Sequence, residues 1–159
     1  MNKTFTFGSV PSSASEIRVP SDPFETAALT VLVLCNYKNN VAATIDMLNV
    51  LKGPQPMSQY EIQFLKERLA GKEYKPYSFF AGSSPENGYT PASPLRITVE
   101  DNPYSYQDQN YATLHIKSSG ADSLRQVKLR CKPSTGEWFL WENMLLSDIR
   151  IPVADDPWA

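Results

Sequence analysis

Residues 95–150 decide the fold, and they read LRITVEDNPYSYQDQNYATLHIKSSGADSLRQVKLRCKPSTGEWFLWENMLLSDIR. Apolar and polar residues alternate along several short segments of this stretch, which is the pattern of strands with one buried face. The segments predict four strands, Leu95–Glu100, Tyr111–Lys117, Arg125–Lys132 and Glu137–Glu142. Because the last two are joined by only four residues, they must run antiparallel, and the whole stretch is interpreted as an antiparallel meander.

The sequence of the last hairpin predicts which residues pair across its two strands. Pro133–Gly136 forms a turn with glycine at its end, and this turn pairs Lys132 with Glu137. The pairs that follow are Cys131 with Trp138 and Leu129 with Leu140 on the inner side, and Arg130 with Phe139 and Lys128 with Trp141 on the outer side. Slipping by one residue would place Trp138 opposite a cationic side chain in the core, which is costly.

The outer face of this sheet carries basic and aromatic side chains together. Strand Glu137–Glu142 is apolar on both faces, so the outer face needs cover as well as the inner one. The candidate binding residues there are Tyr111, His115, Lys128, Arg130, Phe139 and Trp141. Such a face fits shielding within the chain, a protein partner or a homodimer contact, whereas phosphate attraction and base stacking would suit single-stranded nucleic acid. The net charge of −2 argues against nucleic acid.

Three helices precede the strands. Asp22, Pro23 and Glu25 provide the capping signals that start helix 22–36, and Gly53–Pro54 ends helix 40–52. Ser58 and Glu61 form a capping box that starts helix 58–70. Helices followed by strands, rather than alternating with them, predict an α+β fold with the three helices packed on one face of the four-stranded antiparallel sheet.

Two connecting segments carry further predictions. The segment Glu73–Pro94 is long and contains five aromatic residues, so we expect an ordered loop packed over the core, with a recognition loop as the alternative. Leu145–Arg150 is interpreted as a short helix that turns the chain back. The segment Ile151–Ala159 is then expected to cover Phe139 and Trp141, in preference to residues 74–80 or a second copy.

The chain has 159 residues, enough for one domain, and we interpret residues 1–21 as an extended arm and residues 22–159 as a single domain. Residues 1–20 contain no apolar run of a secretory signal, and the apolar window 27–35 is too short to span a bilayer. We therefore expect a cytoplasmic protein without a membrane partner. Cys35 and Cys131 lie in apolar patterns and are interpreted as reduced thiols, with a disulfide or metal site as the alternative.

No arrangement of residues typical of catalysis is found. His115 is the only histidine, and its nearness in sequence to Ser118 and Ser119 does not make a nucleophile–base pair. The segment around Gly120 lacks the glycine spacing and lysine of a phosphate loop, and the aspartates lack the spacing of a calcium loop. No cofactor, metal or catalytic residue is predicted, and an enzyme is not favoured.

Several sequence blocks together resemble a bacterial domain family of unknown function. The blocks are Met47–Asn49, Leu51–Pro54, Gln63–Leu65, Arg68–Leu69, Pro85–Pro91, Ser119–Ser123, Gly136–Glu142, Leu145–Leu146, Asp148–Arg150, Pro152 and Asp155–Ala159. The resemblance implies a single domain in a bacterial, cytosolic setting, and it implies no activity, ligand or catalytic residue.

Two functional hypotheses follow. The first is a small non-enzymatic interaction or structural module. The second rests on a looser resemblance to the nuclear-transport-factor-2-like cone, in the order of elements only. The curved sheet of that fold encloses a pocket. This resemblance implies a protein that binds a small ligand in a pocket, with or without enzymatic activity. A filled core between helices and sheet favours the module, and a deep apolar cavity with converging polar groups favours the pocket.

Overall fold

A computed structural model describes all 159 residues. Five strands form one antiparallel sheet in the order β1-β2-β3-β4-β5, and three helices lie between β1 and β2 in sequence. The elements are β1 Asn2–Phe7, α1 Pro23–Leu34, α2 Val41–Lys52, α3 Gln59–Leu69, β2 Leu95–Glu100, β3 Tyr111–Ile116, β4 Arg125–Lys132 and β5 Glu137–Asn143. The predicted α+β class and the antiparallel meander are confirmed. No helix combines the length and the apolar content needed to cross a lipid bilayer.

The prediction of four strands is wrong, because a fifth strand lies in the segment that was expected to be an extended arm. β1 pairs with β2 along its whole length, from Asn2 opposite Glu100 to Phe7 opposite Leu95. Its residues alternate between exposed and half-buried, and Phe5 and Phe7 pack against the core. β2 pairs with β3 only at its last two residues, so most of the strand pairing of β2 is provided by β1.

Helix α1 is the centre of the core. Asp22 caps it by accepting the Phe24 N–H at 2.9 Å, with Pro23 in the first turn as predicted. Nine of its twelve residues are buried, because it lies across the inner face of the sheet and contacts all five strands. α2 reaches β5, but α3 makes no comparable contact with any strand. The expectation that all three helices pack on the sheet is therefore wrong for α3, which is joined to α2 by an ion pair between Lys52 and Glu61.

The edge formed by β5 is closed by the helical layer. The Trp138 N–H donates to the Pro20 carbonyl at 2.9 Å, and the Thr26 hydroxyl donates to the Trp138 carbonyl at 2.8 Å. Further along the strand, the Lys52 ammonium donates to the Trp141 carbonyl at 3.1 Å. These bonds satisfy backbone groups that would otherwise form an exposed edge open to strand pairing.

The aromatic connector is an ordered, packed loop, as predicted. Tyr74 and Tyr89 stack with their ring centroids 5.4 Å apart, and Phe79 and Phe80 are buried. The Tyr89 hydroxyl donates to the Arg150 carbonyl, and burial raises the pKa of Tyr89 to about 12. The loop therefore stays beside the core and the last turns of the chain.

The short helix expected at 145–150 is not formed. Side chains bind three carbonyls of this segment: Lys75 donates to the Leu146 carbonyl at 2.7 Å, and Arg125 donates to those of Ser147 and Asp148. Leu145, Leu146 and Ile149 are all buried, so the segment packs on the core without forming a helix.

The segment Ile151–Ala159 does not cover the outer face of the sheet, so this expectation is also wrong. Trp158 is 93% exposed, the most exposed of the large apolar residues. Phe139 and Trp141 are nevertheless half-buried. The turn at Gly53 packs on the Phe139 ring, and Arg130 lies over the Trp141 ring. The turn after α2 thus provides part of the cover that was expected from the last residues.

Candidate functional site

The structure brings four of the six predicted binding residues together on β3, β4 and β5. The Arg130 guanidinium lies 4.8 Å from the centre of the Trp141 ring system and 5.4 Å from the Tyr111 ring centre. The two rings meet edge to face at 5.7 Å, and the Lys128 ammonium lies 5.0 Å from the Tyr111 ring. We call Tyr111, Lys128, Arg130 and Trp141 the aromatic–basic cluster. Each cation–ring contact contributes about 0.5–1 kcal/mol at such exposed positions.

The other two predicted residues lie apart from this cluster. His115 is four residues from Tyr111 along β3, opposite Gln126 on β4 and Glu100 on β2. Phe139 pairs with Arg130 across the strands, but its ring extends toward Gly53 at the end of α2. Its aromatic surface therefore joins the helical layer to the sheet edge.

A β-bulge places Trp141 in the cluster. The predicted pairs Lys132–Glu137, Cys131–Trp138, Arg130–Phe139 and Leu129–Leu140 are all confirmed. The predicted pair of Lys128 with Trp141 is wrong, because Lys128 lies opposite Glu142 and Trp141 is the extra residue of the bulge. Bulges of this kind bend the strand and redirect a side chain, here toward Arg130 and Tyr111.

A partly buried ion pair lies beside Trp141. The side chain of Lys52 is only 6% exposed, and its ammonium donates to Glu61 Oε2 at 2.7 Å. Glu61 also closes the predicted capping box, accepting the Ser58 N–H at 3.1 Å. Burial raises the pKa of Glu61, but the hydrogen bonds from Lys52 and Ser58 outweigh it and hold the pKa below its ordinary value. The pair ties α2 to α3.

Two depressions meet at Trp141 and share Lys52, Gln55 and Leu140 as lining residues. The larger has a volume of about 430 Å³ and the smaller about 270 Å³. The larger is also lined by Leu48, Met57, Tyr60, Glu61, Phe64, Leu65, Glu142, Asn143 and Leu146. The smaller is also lined by Pro54, Arg130, Cys131, Lys132, Pro133 and Phe139. We call the two depressions together the Trp141 groove.

The smaller depression is electropositive. No acidic residue lines it, and neither Arg130 nor Lys132 has a carboxylate within 4 Å. Lys132 and Glu137 form no ion pair, although the two residues are in register as predicted. Lys128 is only loosely paired, 3.9 Å from Asp108. Arg130 and Lys132 are exposed cations without a partner in the chain, and such cations favour an anionic group on a bound molecule.

Helix α3 supplies an aromatic wall that the sequence analysis did not identify. Tyr60 is 77% exposed and stacks on Phe64 one turn later, with the ring centroids 6.3 Å apart. Both lie off the apolar stripe that buries Leu65 and Leu69. Their spacing of four residues is the signal that was available, since aromatic residues on a polar helix face have no role in the core.

The serines near His115 have a structural role. Ser118 donates to the Ser78 hydroxyl at 2.7 Å, and Ser119 donates to the Ser78 carbonyl at 3.0 Å. These bonds fasten the connector to the end of β3. Both cysteines are free thiols; Cys35 is buried, which raises the pKa of its thiol far above the usual range, and Cys131 is half-buried at the groove.

The family model of a domain of unknown function (DUF6935) matches residues 9–153. This match spans most of the sequence, and the chain belongs to that family. It begins after β1 and ends before Trp158, so it includes every residue that lines the Trp141 groove. No curated protein and no solved structure matches the chain.

Proposed function

We propose that this member of the family is a cytoplasmic, non-enzymatic interaction module that binds a protein segment in the Trp141 groove. The observation that carries the proposal is the Arg130 guanidinium, which lies within 5.4 Å of the centres of two aromatic rings and has no carboxylate of its own chain within 4 Å. Aromatic residues and arginine dominate the binding energy of protein interfaces when they lie together in a groove.

The chemistry of the groove suggests the kind of segment it binds. Trp141, Tyr60 and Phe64 offer apolar walls, and Arg130 and Lys132 offer unpaired positive charge. A peptide with an aromatic or aliphatic anchor next to carboxylates complements both features. Glu61 and Glu142 line the larger depression, which disfavours the phosphate backbone of a nucleic acid.

The first test is selection from a phage-displayed random peptide library with the purified full chain as bait. We expect enrichment of peptides that carry an aromatic residue beside aspartate or glutamate. Their affinity should fall about tenfold with Arg130→Gln, because the charged hydrogen bonds to the guanidinium are lost. Trp141→Ala should weaken binding further if circular dichroism shows that it folds.

The matched control is His115→Ala, which changes the same sheet face outside the cluster. This variant should bind the selected peptides as the unchanged protein does. Selected peptides that bind the Arg130→Gln and His115→Ala variants equally, or a library that yields no binder, would overturn the proposal.

The second candidate is a small-molecule pocket, as in the cone-type hypothesis. The larger depression supports it, because about 430 Å³ lies within the range of ligand sites, and Lys52 and Glu61 provide polar groups beside apolar walls. The inner face of the sheet offers less room, since Ile97, Leu114 and Leu129 are fully packed against α1.

Thermal-shift screening against a metabolite set separates the two candidates. For an interaction module we expect no compound to raise the melting temperature by more than about 2 °C at millimolar concentration. A reproducible rise of about 4 °C or more that disappears in Phe64→Ala would favour the pocket instead.

A further inference from the structure

The segment Asp155–Ala159 has the composition proposed above for a peptide that binds the Trp141 groove, an aromatic residue next to carboxylates. Two carboxylates, Asp155 and Asp156, precede the exposed Trp158 indole, and neither carboxylate has a cation within 4 Å. The backbone N–H of Trp158 donates to Asp156 Oδ1 at 2.8 Å, which fixes the backbone turn between the two residues.

The groove of the same copy does not receive this segment. No residue after Leu146 lines either depression. The turn Val153–Asp155 packs instead on Pro85–Asn87 of the connector, and the Asp155 carboxylate is close enough to Tyr74 to raise its pKa further, after burial. The segment is thus fastened elsewhere on the body, with its indole pointing away from the chain that carries it.

We infer that the Trp141 groove takes the Asp155–Trp158 segment of a second copy of this chain. The Trp158 indole lies against Trp141 and Phe139 in the smaller depression, and the two aspartates face Arg130 and Lys132. This inference rests on the proposed function, for which it names the partner. The groove and the segment are complementary in charge and in apolar surface: two unpaired cations and two aromatic rings line the depression, and two acids and an aromatic ring form the segment.

Each copy therefore carries one donor segment and one acceptor groove. Two copies that exchange segments around a two-fold axis form a closed dimer, whereas copies that do not close the contact form longer chains. Both results are self-association through the same contact. Rim charges of this kind also make association faster and sensitive to salt.

The experiment is sedimentation velocity on the full chain between about 1 and 200 µM, the range of weak protein contacts. We expect the average mass to rise with concentration. Trp158→Ala should raise the dissociation constant about tenfold or more, as the loss of an aromatic anchor does. Tyr104→Ala, which removes another exposed aromatic side chain that does not line the groove, should leave the mass unchanged.

A charge exchange makes the test specific. One variant carries Arg130→Glu and Lys132→Glu, and the other carries Asp155→Lys and Asp156→Lys. Each alone should be monomeric, because its groove and its segment then have like charges. Mixed in equal amounts they should associate, because both contacts between the two variants again join opposite charges.

A labelled peptide of residues 151–159 separates this inference from the proposed function. We expect it to bind the unchanged protein and to bind the Arg130→Gln variant about tenfold more weakly. If library peptides bind while the full chain stays monomeric and this peptide does not bind, the inference is wrong and the proposed function stands. If neither kind of peptide binds, both are wrong. Self-association that Trp158→Ala and the charge exchange leave unchanged also overturns the inference, since it uses another surface.

Discussion

Gly53→Ala is expected to lower the free energy of unfolding by about 3 kcal/mol, the combined cost of backbone strain and of a steric clash. Gly53 follows α2 with φ +60° and ψ −121°, a conformation that residues with a side chain rarely adopt. A methyl group there would also overlap the Phe139 ring. The melting temperature should fall by about 6–12 °C, given about 2–4 °C per kcal/mol for a chain of this size.

Gly71→Ala is the matched control for this variant. Gly71 also has a positive φ, +73°, and also follows a helix, but nothing lies within 4 Å of its missing Cβ. It should cost only about 1 kcal/mol, from backbone strain alone. Urea unfolding of Gly53→Ala, Phe139→Ala and the double variant measures the clash as a coupling energy. Equal losses for the two glycine variants, together with no coupling to Phe139, would contradict the packing described for the turn.

The turn at Gly53 explains why the cover of the outer face could not be predicted from sequence. Gly53–Pro54 signals the end of a helix, and that prediction is confirmed. Which strand the turn then touches depends on how α2 crosses the sheet, a contact between residues more than eighty positions apart. Periodicity predicts which side chains need cover but does not identify the segment that provides it.

The register of the last hairpin was predictable because two independent signals agree. The four-residue turn fixes the pairing of Lys132 with Glu137, and alternation keeps Cys131 and Leu129 on the core side. No comparable signal predicts the bulge at Trp141. A strand that is apolar on both faces has the same sequence pattern with or without an extra residue. The contact that accompanies it, Lys52 to the Trp141 carbonyl, comes from another element.

The candidate site was predictable only in its sheet half. Tyr111, Lys128 and Arg130 follow from strand alternation, which places them on one face, whereas the contacts of Trp141 depend on the bulge. The helical half depends on Lys52 and Glu61, which read as a last-turn lysine and a capping glutamate, both ordinary roles on a helix surface. Burial of Lys52 arises only when α2, α3 and β5 meet, so neither residue looks unusual in the sequence.

The second large effect is expected from Glu61→Gln, which should lower the free energy of unfolding by about 2 kcal/mol at pH 7, because it leaves the buried Lys52 ammonium without its counter-charge. The figure is below that for a fully buried pair, since the Glu61 side chain is 39% exposed and water partly screens it. The capping hydrogen bond from Ser58 survives in the amide, so the loss reports the charge and not the helix start. Glu67→Gln on the same helix, which has no cation within 4 Å, should cost less than about 0.5 kcal/mol.

The contribution of the Lys52–Glu61 pair to the free energy of unfolding can be recognised by its dependence on pH. The pKa of Glu61 is lower in the folded chain than its ordinary value of 4.5, so the unfolded chain binds the proton more tightly. The contribution of the pair to stability is therefore complete above about pH 4.5 and is lost as the pH falls through the lower, folded pKa. Urea unfolding at a series of pH values from 7 down to about 3 should show this loss in the unchanged protein and in Glu67→Gln, and a smaller loss in Glu61→Gln.

If Glu61→Gln keeps the full loss between those pH values, the pair does not stabilise the junction of α2, α3 and β5. The polar centre of the Trp141 groove would then be held only by the hydrogen bond from Lys52 to the Trp141 carbonyl.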